Sequence, residues 1–103
     1  MNQPGQAEQA LRQAVTRFPN SGLAHAELAQ LYLRTQTRPA EALTLMQTGV
    51  RLTPTANYYY LLTWAYDVNG DLKDALATIE KAIDLEPQNE HYRSTYDRIR
   101  SRL

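Results

Sequence analysis

The chain contains no cysteine, which excludes disulfides, thiolate zinc sites and cysteine nucleophiles without fixing a compartment. Glycine is scarce, at 4 residues, and proline at 5. No Gly-rich phosphate loop is present, and the many Ala, Leu, Gln and Glu residues read as an all-helical chain. Neither sign of charge is in surplus: 11 basic and 11 acidic side chains give a formal net charge of zero. The electrostatic case for nucleic acid or a membrane surface is therefore missing. No apolar run approaches the ~18 residues of a membrane-spanning helix, and no signal peptide is visible. With only 2 histidines, no His-Glu zinc motif and no nucleophile elbow, an enzyme, a metal site and a bound cofactor are not expected.

What is present is apolar periodicity. Hydrophobic residues make up 43% of the 103 positions, enough for one small domain over residues 1–103. Its most regular stretch is 56–87, which reads as two helices across Asn69-Gly70-Asp71. Tyr59, Leu62, Thr63 and Tyr66 share one helical face, as do Ala75, Ile79 and Ala82 on the next helix. Gly70 suits the left-handed end of the first helix, Asp71 an N-cap for the second, and Pro87 its stop.

Residues 1–5 read as a polar leader. From Gln6 to Phe18, Ala7, Leu11, Ala14 and Phe18 form an amphipathic stripe closed by Pro19. Asn20 or Ser21 caps a helix over 22–34, and His25-x2-Leu28-Ala29-x2-Tyr32 repeats the pattern that begins at Tyr59. Pro39 opens a helix over 39–52 carrying Ala42-x3-Met46 and Gly49. Gly49 costs about 1 kcal/mol against Ala, and close helix approach is the expected compensation. The last helix, 90–103, follows an Asn89 cap, with Tyr92, Tyr96, Ile99 and Leu103 as its apolar stripe.

Pro19, Pro54 and Pro87 end successive copies, 35 and 33 residues apart, and both length changes fall in connections. Tyr59-x2-Leu62-Thr63-x2-Tyr66, Ala75-x3-Ile79 and Pro87 resemble the tetratricopeptide repeat, a 34-residue helix–turn–helix unit. Tyr59 stands for the family's usual Trp, Thr63 for its small residue and Ile79 for its second-helix aromatic. The resemblance covers about 6–89: 6–19 as the second half of a repeat, 22–54 and 56–87 as full repeats. Residues 90–103 then form a capping helix with Arg93, Asp97 and Arg100 outward. The resemblance implies an all-α, right-handed α-solenoid of antiparallel helix pairs, about six helices in all. It also implies a protein–protein interaction scaffold or adaptor whose first helices line a concave groove.

Periodicity nominates the groove side chains. They are Asn57, Tyr60, Trp64 and Asp67, with Val68, on the helix from 56. The helix from 22 adds Gln30, Leu33 and Arg34 beside Ala26, and the last helix adds Arg98 and Arg102 beside His91 and Ser94. A helix apolar nearly all round is normally buried on every side, so Tyr60 and Trp64 are either core or a ligand-binding floor. Arg98 and Arg102 equally suit a solvated cap near a helix C-terminus. His25 reads as packing, and His91 has no second ligand one turn on. The Lys/Asn carboxylate clamp of some family members is absent, its sites being Ala26 with Gln30 and Tyr60 with Trp64. The expected partner is another protein's peptide or helix, acidic with an apolar anchor; nucleic acid and membrane are not expected. The alternative is self-association within a longer repeat array, through the uncovered helix at 6–18, where Glu8 and Arg17 soften the open face at positions held by Leu in the other copies.

Overall fold

The computed structural model describes residues 4–103, and these form six helices. They are α1 (Pro4–Arg17), α2 (Gly22–Thr35), α3 (Pro39–Leu52), α4 (Ala56–Val68), α5 (Leu72–Leu85) and α6 (Glu90–Arg100). Side-chain caps start every second one. Ser21 Oγ accepts the Ala24 N–H at 3.1 Å, Thr55 Oγ1 the Tyr58 N–H at 3.2 Å, and Asn89 Oδ1 the Tyr92 N–H at 3.2 Å, which satisfies orphan donors of α2, α4 and α6. Asp71 departs from expectation: it precedes α5 but its side chain makes no capping bond. Gly70, at φ 80°, holds the left-handed position in the α4–α5 turn. In the α2–α3 turn, also three residues long because α2 (14 residues) takes up the one extra position relative to α4 (13 residues), Gln36 (φ 57°) and Arg38 (φ 44°) adopt that conformation instead.

The helices pair as α2 with α3 and α4 with α5, and the pairs stack, α3 meeting α4 and α5 meeting α6, with α1 against α2. The result is an all-α solenoid segment of 37 × 23 × 23 Å. Its larger core joins Leu28, Ala29, Tyr32, Met46, Leu62 and Ala65; a second cluster joins Ala56, Ile79, Ala82 and Tyr92. A face that places small residues opposite large ones lets helices pack at interior density.

Several expectations need correction. Pro4 and Gly5, read as leader, lie in the first turn of α1, where proline's missing N–H is harmless; Met1–Gln3 lie outside the described residues. Helix α6 stops at Arg100, and Leu103 is exposed rather than part of its stripe. Helices α2 and α3 do approach closely at Gly49, where a Cβ would meet the Gly22 carbonyl oxygen at 3.7 Å and Ala26 N at 3.9 Å, but the glycine without room for a side chain is Gly22. A Cβ on Gly22 would collide with Thr53, 2.9 Å from its Cβ, whereas one on Gly49 would meet nothing nearer than Met46 Cε at 3.5 Å.

Ala7, Leu11 and Ala14 of α1 are only half-buried, while Ala42, Met46, Ala75, Ile79 and Ala82, at the matching places of α3 and α5, are fully enclosed. Polar ties hold α1 instead. Glu8, expected merely to soften an open face, accepts from Arg12 Nε at 3.0 Å and from the Tyr32 hydroxyl at 2.8 Å, and pairs with Arg38 at 3.3 Å. Arg12 also reaches Glu41 at 3.0 Å. The network thus joins α1 to α2, α3 and the turn between them.

Candidate functional site

Helix α4 is flanked on both sides, by α2 and α6. Leu61, Leu62, Thr63 and Ala65 are buried, and the five aromatic residues, Tyr58, Tyr59, Tyr60, Trp64 and Tyr66, are half-buried against the core around them. Trp64 is half-buried and borders two hollows. The first, about 380 Å³, lies between the C-terminal ends of α2 and α4 and is lined by Leu33, Pro39, Trp64 and Val68, with Tyr32, Gln36 and Thr37. The second, about 230 Å³, lies between α4 and α6 and is lined by Tyr60, Thr63, Trp64, Asp67, Thr95, Arg98 and Ile99.

Tyr60 stacks on Tyr92, ring centroids 5.7 Å apart at 25°, and leans on His91 at 5.0 Å. Those contacts fix its ring as one wall of the second hollow. Asp67 and Arg102, both nominated from sequence, pair with each other, Oδ1 to Nη1 at 2.7 Å. The bridge ties the chain beyond α6 back to α4 and compensates the Asp67 charge. Arg98 lines the second hollow and has no ion pair among the described residues.

Of the nominated residues, the structure brings Leu33, Tyr60, Trp64, Asp67, Val68 and Arg98 to the hollows. Leu33 contributes from a nearly enclosed position, 4% exposed. Gln30, Arg34 and Asn57 border neither, and Arg34 and Asn57 are exposed. Helical periodicity missed Gln36, Thr37 and Pro39, because they belong to the α2–α3 turn and to the first residue after it. It also missed Thr95, 2% exposed. His25 is buried, its Nδ1 2.8 Å from the Ser21 carbonyl oxygen, a satisfied packing role.

Other hollows are less suited. A wider one, about 580 Å³, is lined by residues of α1 alone, so it is a furrow between side chains of a single helix rather than a cleft. No group of His, Asp and Glu among the described residues is placed to hold a metal ion, and no described helix is long and apolar enough to cross a membrane.

Stacked helical hairpins with a ligand-sized concavity beside the first helices define a helical-repeat protein of the solenoid type. The chain belongs to the tetratricopeptide repeat family. Residues 1–65 match one family model of that description and residues 56–89 a second. Among solved structures it is similar to one described as "MamA RS-1 ArsTM double mutant". The TM-score is 0.89 and the identity 25% over 96% of this chain, which spans 56% of that one. No curated protein matches the sequence. Tetratricopeptide repeats in general mediate contacts between proteins.

Proposed function

We propose that the chain is a non-catalytic adaptor that docks a segment of another protein on the groove side of α4, with Trp64 as the principal contact. The observation that carries this reading is the half-buried indole of Trp64 standing between two hollows. Trp offers large contact area at small entropic cost and is enriched among residues that dominate binding energy. A groove of two repeats is short, so affinity on the order of micromolar, roughly −8 kcal/mol, is expected.

Selection of a displayed random-peptide library on the immobilised chain tests it. Selected peptides should lose about fivefold or more in affinity to Trp64→Ala, roughly 1 kcal/mol, while the variant keeps its far-UV circular dichroism. Binders indifferent to Trp64→Ala, or loss of helical signal in that variant, would sink the groove reading.

A second reading is favoured by α1, whose Ala7, Leu11 and Ala14 are half-buried where their counterparts are enclosed. Another copy covering that face would bury them. Sedimentation velocity should then show mass rising with concentration; a constant monomer mass removes this reading.

A further inference from the structure

We infer that the two hollows astride Trp64 form one bipartite site for an extended acidic segment of a partner protein. An apolar side chain enters the α2–α4 hollow, and a carboxylate three residues along enters the α4–α6 hollow against Arg98. The inference rests on the groove reading proposed above and adds to it the chemistry, the order and the spacing.

The hollows differ in what they leave unsatisfied. The one between α2 and α4 has Leu33, Pro39, Trp64 and Val68 as its walls and only Gln36 and Thr37 as polar rim. At about 380 Å³ it admits a leucine or phenylalanine side chain, and burial there is the only gain on offer. Between α4 and α6 most polar groups are already engaged. The Thr63 hydroxyl donates to the Tyr59 carbonyl at 2.8 Å and the Thr95 hydroxyl to the His91 carbonyl at 2.9 Å. Asp67 is held by Arg102 at 2.7 Å, its side chain only 18% exposed. The cation left over is Arg98, and a guanidinium beside an aromatic wall recognises a carboxylate.

Both hollows border Trp64, so they lie on either side of one side chain, on the order of 10 Å apart, about the spacing of neighbouring helices. An extended chain advances about 3.3 Å per residue. Three residues therefore carry the segment across Trp64, from apolar anchor to acid.

The sequence holds 1 Trp, so the indole N–H resonance of Trp64 reports binding without ambiguity. The probes are synthetic Gly-Ser peptides bearing one Leu and one Glu at varied separation, with Glu→Gln and Leu→Ser controls. The three-residue separation should bind about tenfold more tightly than either control, as a charge-assisted bond and a buried side chain each permit. Arg98→Ala should erase the difference between the Glu and Gln peptides while keeping the preference for Leu. Asp67→Asn, which takes a negative charge out of the lining and releases Arg102 from its ion pair, should tighten the Glu peptide a few-fold, an effect opposite in sign to that of Arg98→Ala. Equal binding at every separation, or a Glu preference that survives Arg98→Ala, overturns the bipartite site and leaves the groove reading standing. Peptides that never move the indole resonance overturn both.

Discussion

Gly22 and Gly49 lie side by side where α2 begins and α3 ends, yet only one of them needs to be glycine. A methyl on Gly49 would make contacts of 3.5–3.9 Å with Met46, Gly22 and Ala26, ordinary packing distances. Gly49→Ala should therefore stabilise the fold by about 0.5–1 kcal/mol through helix propensity, raising Tm by roughly 4 °C in a thermal melt. Gly22→Ala forces Thr53 aside and should destabilise by about 1–3 kcal/mol. Sequence marked the approach at Gly49 but not Gly22 as the member that must be glycine, because it reveals a small residue in a helix but not what passes over it. Tyr32 gives a second test at this scale. Burial, then its bond to Glu8, pushes its hydroxyl up to about 12, and burial raises Tyr58 and Tyr92 in the same direction. A phenol whose folded value lies above its unfolded one near 10 contributes stability that is complete below pH 10. That contribution is lost as pH rises toward 12. Denaturant midpoints should therefore fall across the alkaline range, and Tyr32→Phe should flatten the decline.

Among the elements, α1 is set apart by what attaches it. Helices α3 and α5 enclose Ala42, Met46, Ala75, Ile79 and Ala82 completely, whereas α1 leans on Glu8 and Arg12. The Arg12 guanidinium, followed by the Tyr32 hydroxyl and Arg38, holds the Glu8 carboxyl below its usual range. A carboxylate so depressed contributes stability that is present above its unfolded value near 4.5 and is lost as pH falls through the folded one. These are partly exposed pairs that salt screens. Helix α1 should fray first as pH falls below about 4.5, or in high salt, seen as an early, partial loss of helical ellipticity. Glu8→Gln should produce that partial loss at neutral pH. Helix positions themselves were legible: prolines, caps and 3.6-residue stripes marked all six, and α3 runs over 39–52 as read. Partnerships across the fold were not. The pairing of Asp67 with Arg102 spans 35 residues, and a helical wheel can put both on the groove side without indicating that they neutralise each other. The rim supplied by Gln36 and Thr37 escaped notice for a related reason, since turn geometry has no period to read.

At the scale of the whole molecule, the stacked pairs form a row in which each helix depends on its neighbours, and stability sums along the row. Helix α4 sits in the middle of it, with α2, α3, α5 and α6 around it, while α1 and α6 stand at the ends. Amide hydrogen exchange should accordingly run as a gradient, fastest in α1 and the turns past Arg100, slowest in α4 and the inner faces of α3 and α5. Uniform protection along the chain would show instead a single all-or-none unit. If the gradient holds, Trp64 is carried by the last helix to open. An incoming segment would then meet a surface already set in its bound shape, so little ordering of the receptor would be charged against association, and substitutions on this face should alter how long a complex lasts more than how quickly it forms.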